Sequence, residues 1–252
     1  MREMNTDNPL ISIITVVYNG SKTLEQTIQS VCNQTYKSIE YIIIDGGSTD
    51  GTLDIINQYK DNINFWLTEP DKGLYDAMNK GISYAKGEII GLINSDDWYE
   101  ANAVELVVQA YQKDISKKIF HADKRCILPN GASFVRKANT NDFLFKYHGM
   151  ILNHPTMFIH KDVYQKRKYN INLKSLSDYQ FVLSAFIENK NSFCYIPQVT
   201  TNYRLGGISG HLPLSKSIQE NFIARRNAGM NIFECSFAVM IRIALEIYRK
   251  FK

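Results

Sequence analysis

Up to Ile93 the chain alternates apolar runs with amphipathic segments, and that alternation permits few folds. "LISIITVVY" is a continuous β-branched run, which reads as a strand buried on both faces. Ser21 to Asn33 reads as a helix, with Leu24, Ile28 and Val31 along one face and Thr23 with Gln26 as a capping pair. "EYIII" (Glu40 to Ile44) and "INFWLT" (Ile63 to Thr68) are the next two strands, separated by a helix from Thr52 to Tyr59. Leu74 to Ala85 forms a third helix with Leu74, Met78 and Ile82 in register and Gly87 as its stop, and "EIIGLI" is a fourth strand. Strand–helix repetition of this kind implies an α/β fold with a mainly parallel central sheet and right-handed crossovers.

After Tyr111 the pattern changes. Asn130-Gly131, between "KRCIL" and "ASFVRK", signals a hairpin. A short strand at "TMFIH", a helix from Ser177 to Glu188 and a strand at "SFCYIP" follow, and the tail from Pro213 reads as two helices. The 252 residues suffice for one large α/β domain, and the net charge of +4, without any block of like charge, argues against a nucleic-acid partner. Cys32, Cys126, Cys194 and Cys235 are scattered, which fits reduced thiols in a cytoplasmic protein better than a disulfide framework or a zinc site. "ISIITVV" is too short for a signal peptide, and the tail from Ile232 to Ile247 is interrupted by Glu234, Arg242 and Glu246, so no membrane span is expected.

In an open parallel sheet, ligands bind beyond the carboxyl ends of the strands. Polar residues follow the first four expected strands at that edge: Thr15, Tyr18 and Asn19; Asp45 in "DGGSTDG"; Glu69 and Asp71 in "EPDKG"; and Asp96 with Asp97 in "NSDD". No GxGxxG follows the first strand, so a bound diphosphate needs another source of neutralisation. A hard divalent cation held by Asp96 or Asp97 supplies it, whereas a helix cap would need only one aspartate. Asp45 is placed to accept from a nucleobase N–H, or merely to start a turn with Gly46 and Gly47. "GLYDAMNKG" presents Asp76, Asn79 and Lys80 near the same edge, with Lys72 just before it; either lysine alone reads as a solvated surface position.

"ISIITVVYNGSKTLEQTIQSVCNQTYKSIEYIIIDGGSTDGT", "EPDKGLYDAMNKGISYAKGEIIGLINSDD" and "SLSDYQFVLSAF" resemble the family-two inverting glycosyltransferases with the A-type nucleotide-sugar fold, in particular enzymes that build bacterial O-antigens, exopolysaccharides and capsules. The resemblance covers most of residues 9–210. It implies a glycosyltransferase domain there, with a nucleotide-binding half at 9–111 and an acceptor half at 112–210, followed by a helical C-terminal extension at 211–252. It further implies that Thr15, Tyr18, Asn19, Asp45, Asp76 and Asn79 hold the nucleotide-sugar, Asp45 meeting a uracil edge. Asp96 and Asp97 would carry Mn2+ or Mg2+ at the diphosphate, and Asp178 would be the general base. The chain departs from the commonest DxDD wording in having Asn94 first, and it has Gly46 where many relatives have a second aspartate.

The implied donor is a UDP-sugar, and the implied acceptor is a saccharide, for example one linked to undecaprenyl diphosphate. His154, in "LNHPTMF", stands where it is either an acceptor or metal contact or a structural loop histidine. His211 follows "YRLGGISG", which reads either as a lid or as a plain connector. The apolar and basic tail helix suits either a peripheral seat on the inner face of the cytoplasmic membrane or packing on the domain or a second subunit of a homodimer. Three rivals are set against this reading. A sugar-nucleotide nucleotidyltransferase would need a Gly- and Arg-rich first loop, and a processive synthase would need spanning helices and a QxxRW-like motif. A catalytically dead binding module would have no reason to keep Asp45, Asp96, Asp97 and Asp178.

Overall fold

A computed structural model describes residues 8–206 and 214–250; His211 lies outside the described residues. In chain order the elements are β1 (Ile11–Val17), α1 (Leu24–Cys32), β2 (Ile39–Asp45), α2 (Thr52–Gln58), β3 (Phe65–Thr68), α3 (Leu74–Tyr84), β4 (Ile89–Asn94), β5 (Trp98–Tyr99), α4 (Ala103–Lys113), β6 (Ile119–Ile127), β7 (Ser133–Arg136), α5 (Asp142–Tyr147), β8 (Phe158–His160), α6 (Lys161–Lys166), α7 (Ser177–Asn189), β9 (Phe193–Arg204), α8 (Leu214–Asn227) and α9 (Ile232–Lys250).

One sheet runs through the molecule in the order β3-β2-β1-β4-β8-β6-β9-β5, with β7 paired to β6. The β3, β2, β1 and β4 strands are parallel, β8 is antiparallel to both β4 and β6, and β9 is parallel to β6. Period-2 alternation divides the side chains between two cores. Ile14, Ile42 and Ile44 face α3, α7, α8 and α9, while Ile13, Ile43 and Val17 face α1, α2 and α4. Ala224, Ala228 and Cys235 of the tail helices join the first core.

Several local expectations are corrected. Thr23 makes no side-chain cap at α1, so the Thr23/Gln26 pair does not form. Helix α3 is rotated from the expected face: Leu74 is exposed, and Tyr75, Ala77, Met78 and Gly81 are buried. The rotation follows from Gly81, whose missing Cβ lets the helix lie directly on Ile14 and Ile44. Strand β9 runs through Pro197 to Arg204 instead of stopping at "SFCYIP", and that continuation brings its C-terminal end to the acidic turn after β4.

Candidate active site

The carboxyl ends of β1, β2 and β4 meet at one rim, and the "DGGSTDGT" loop is what shapes it. Asp45 is fully buried, and its Oδ2 accepts from the N–H groups of Gly47 and Ser48 and from Thr68 Oγ1. Ser48 Oγ donates to Asp45 Oδ1 and accepts from the Asn19 N–H. Thr49 N–H donates to Asn19 Oδ1, Asp50 accepts from Ser21 N–H, and Thr52 Oγ1 accepts from Gly20 N–H. Hydrogen bonds from Thr52 and Ser21 hold the Asp50 carboxyl well below the usual carboxylate range. The loop is therefore a clamp on the Tyr18-Asn19-Gly20 turn, in which Asn19 adopts φ 51°. The Asp45 oxygens thus already have donors within the protein, in Gly47, Ser48 and Thr68.

Tyr18 stands 62 % exposed at this rim, free to present its ring face. Beside it the Asp71 carboxylate packs over Gly46, where any side chain would collide with it. Thr15 is fully buried inside β1, with its hydroxyl on Tyr41 Oη at 3.0 Å. Asn79 is a structural bridge, since it donates to the Tyr169 carbonyl at 2.8 Å and accepts from the Tyr169 N–H at 3.0 Å. Asp76 accepts from Lys72 N–H and faces Lys80, which lies 2.7 Å from Glu69. Both Asp76 and Asn79 thus have partners within the protein.

The acidic turn adjoins the first loop, since a Cβ on Gly20 would meet Ser95 Oγ at 3.1 Å. Thr27 Oγ1 donates to the carbonyls of Ser95 and Asp97 at 3.0 and 2.7 Å, fixing the turn on α1. From β9, the Arg204 N–H donates to Asp97 Oδ1 at 3.0 Å, and its guanidinium donates to the Asp96 carbonyl at 2.6 Å while lying over the Trp98 ring. Asp97 is fully buried, and its Oδ2 has no hydrogen-bond partner among the described residues; the same holds for Asn94 Oδ1. Burial, with the neighbouring Asp96 charge, pushes the Asp97 carboxyl up to about 8, and burial raises Asp96 as well.

A divalent cation fits this turn. The two orphaned buried oxygens and the Asp96 carboxylate are hard donors of the kind Mg2+ and Mn2+ select. Among the described residues no three acidic, His or Cys side chains gather as a complete metal cage.

Asp178 stands in the first turn of α7. Its Oδ1 accepts from the Tyr179 N–H at 2.7 Å and from Tyr75 Oη at 3.3 Å, while Oδ2 has no hydrogen-bond partner among the described residues. His154 Nε2 lies 3.1 Å from Tyr169 Oη. Burial lowers its imidazole, with Asp178 acting against that shift and Lys124 with it.

Two residues that sequence reading passed over connect the halves. Burial pushes the Tyr203 phenol up, and Asp97, Asp96 and Asp178 all add to that rise, so a single ring on β9 feels all three carboxylates. Lys124 of β6 lies with its Nζ 3.8 Å from that ring's centroid. Burial lowers its ammonium, with Arg136 acting in the same sense and Cys126, Asp97 and Asp178 against it.

The sequence model described as Glycosyl transferase family 2 matches residues 12–170, which spans both the acidic turn and His154. The chain belongs to glycosyl transferase family 2. The chain is 31% identical over 195 residues to a chondroitin synthase of Pasteurella multocida, a match covering 74% of this chain and 20% of that protein. It therefore spans only about a fifth of that relative's length. It is 31% identical over 205 residues to an uncharacterized glycosyltransferase of Haemophilus influenzae, covering 80% of this chain and 81% of that one.

Among solved structures, S. aureus TarS in complex with UDP-GlcNAc superposes with a TM-score of 0.73 at 15% identity, covering 91% of this chain and 70% of that chain. A mannosyltransferase from Pyrobaculum calidifontis, in complex with GDP-Man and Mn2+, gives 0.60 at 15% identity, covering 96% of this chain and 83% of that chain. The chain thus has the A-type fold, and its relatives include polysaccharide synthases. No helix among the described residues is long and apolar enough to cross a membrane.

Proposed function

We propose that this glycosyltransferase moves a sugar, with inversion, from a UDP-sugar to a saccharide acceptor in surface-polysaccharide synthesis. The observation that carries the reading is the fully buried Asp97, whose Oδ2 has no hydrogen-bond partner among the described residues, in the turn after β4 where a parallel sheet takes its ligands; the rise of the Tyr203 phenol, to which Asp96, Asp97 and Asp178 all add, supports grouping Asp178 with that turn. Asp178 is a good proton acceptor for an incoming hydroxyl: its Oδ1 is fixed by Tyr179 and Tyr75, and its Oδ2 carries no competing donor among the described residues. Attack from that side, opposite the departing diphosphate, inverts the anomeric centre, much as paired carboxylates flank a glycosidic bond. Asp96 and Asp97 would hold Mn2+ or Mg2+, which when bound neutralises the charge gathering on the leaving group. Tyr18, exposed beside the Asn19 turn, offers a stacking face to the nucleobase, with the Asp71 carboxylate at its flank. Two of the complexed neighbours carry UDP-GlcNAc and GDP-Man, which supports a nucleoside diphosphate sugar as donor.

The test separates binding from chemistry. Asp178→Asn is expected to cut UDP release in the presence of Mn2+ and acceptor by about a hundredfold or more, while UDP affinity changes less than about twofold. Asp97→Asn is expected to weaken Mn2+ binding, read by the electron-spin signal of free Mn2+. Loss of UDP affinity in Asp178→Asn would remove the base assignment. Wild-type binding without turnover across a broad acceptor panel would favour a dead binding module.

The acceptor is proposed to be lipid-linked, which brings α9 into play. Phe233 is 83% exposed and Met240 60%, on a face that also shows Phe237 and Ile243. Together with the basic end of the tail, such a face suits an anionic membrane surface and gives the enzyme a peripheral seat there.

A further inference from the structure

Lys124 and Arg136 are direct cross-strand partners in the β6–β7 hairpin, so their side chains project from the same face. Like charges placed opposite each other destabilise a strand pair unless an anion lies between them. Lys124 is only 8% exposed, which adds a desolvation cost to the repulsion. Among the described residues neither side chain forms an ion pair, whereas Arg125, between them on the opposite face, meets Glu100 at 3.7 Å.

The direction of Lys124 is also a built feature. The β6–β9 register shifts twice around Asp123, between Ala122 and Asp123 and again between Asp123 and Lys124. Irregularities of this kind re-aim a side chain. Here they turn the ammonium onto the Tyr203 ring, where the charges of Asp97 and Asp178 reach it. Arg136 stands further out, in the part of the chain that carries the proposed base: its carbonyl accepts from Asn153 Nδ2 at 3.1 Å, next to His154. Lys124 and Arg136 are therefore a cation pair on one face of the hairpin, and the charges of Asp97 and Asp178 bear on its lysine.

We infer that the acceptor is an anionic saccharide, whose carboxylate or phosphate sits between Lys124 and Arg136 while a neighbouring hydroxyl faces Asp178. This rests on the glycosyltransferase reading and narrows its acceptor class. Arg136 supplies a planar fork that fits either oxyanion, and Lys124 supplies a point charge held in place by the Tyr203 ring.

The inference is tested on the full chain by NMR titration, with and without UDP and Mn2+. The probes are methyl β-glucuronide, its neutral counterpart methyl β-glucoside, and glucose 6-phosphate. A charged probe is expected to bind about tenfold more tightly than the glucoside at low salt, the factor one charge-assisted contact supplies. Arg136→Gln, at an exposed position, is expected to erase that preference without moving UDP affinity. Lys124→Arg is expected to retain most of it and Lys124→Gln to lose it. The ratio of glucuronide to phosphate affinity tells which oxyanion the site takes. Equal binding of glucuronide and glucoside, or a preference that survives Arg136→Gln, would overturn the inference, as would a parallel loss of UDP affinity, which would assign the cations to the donor. Failure to bind UDP with Mn2+ would sink the donor reading instead, and the comparison of probes in the absence of nucleotide would still decide about the cations.

Discussion

At the scale of single residues, the site was legible where chemistry depends on residue type and opaque where it depends on partners. Asp96 and Asp97 could be picked out because carboxylates at a strand end are conspicuous, whereas Asp178 came from the family resemblance and not from its position at a helix start. Asp45 looked equally conspicuous, yet its oxygens serve Gly47, Ser48 and Thr68, and no spacing rule shows that a carboxylate already has its donors. Lys124 was invisible for the reverse reason, since its importance lies in the strand irregularity that aims it.

His121 is a further case of burial hidden from sequence. It is 3% exposed, stacks on Tyr195 and has Nδ1 unpartnered among the described residues. Burial pushes its imidazole down to about 4, with Asp123 acting in the opposite sense. The unfolded chain takes up that proton near pH 6.5 and the folded one only near 4, so the fold loses stability as pH falls through that window, by at most about 3 kcal/mol. His121→Phe keeps a ring on Tyr195 but cannot titrate. Urea unfolding at pH 7 and at pH 4.5 should show a smaller drop for the variant than for the wild type, and equal drops would mean that His121 is not responsible.

At the scale of elements, alternation of apolar runs was enough to locate β1 to β4 and their helices, because a parallel sheet needs those strands buried on both faces. What it could not supply was rotation and length. Helix α3 turns about the contact at Gly81, a packing fact with no periodic signature, and in doing so it delivers Tyr75 to Asp178. The far end of β9 carries "TTNYR", which is too polar to read as buried strand.

The docking of α8 was equally unreadable, since it depends on Arg225. That side chain is 1% exposed, lies over the Tyr179 ring and donates to the carbonyls of Lys146 and Tyr147 at the end of α5 at 2.9 and 3.2 Å. Arg225→Met removes the donors from buried carbonyls and should lower unfolding stability by about 2–4 kcal/mol. Arg225→Lys, with no planar fork, should recover less than half of that loss. Chemical denaturation of the three proteins measures both effects, and a methionine variant as stable as wild type would show that α8 docks by apolar contact alone.

At the scale of the whole molecule, the tail belongs to the core, and the membrane seat proposed for it falls to its outer face. Ala224, Ala228 and Cys235 complete a core shared with the sheet, so deleting the tail would open that core and could not report on location alone. Substitution on the outer face is the cleaner probe. Phe233→Ser with Met240→Ser should leave thermal stability within a few degrees and release the enzyme from vesicles containing anionic lipid, measured by co-sedimentation. Dissociation of a dimer by the same pair of changes, with vesicle binding intact, would instead make this face a contact between two copies.

Arg204 secures Asp97 through its main-chain N–H, while its guanidinium is occupied elsewhere. Replacing the side chain at 204 therefore cannot withdraw that donor; only an imino acid or slippage of the strand can. The aim of the buried carboxylate is inherited from the course of a backbone, so drift at position 204 can alter the surroundings of the acidic turn while leaving its heading untouched.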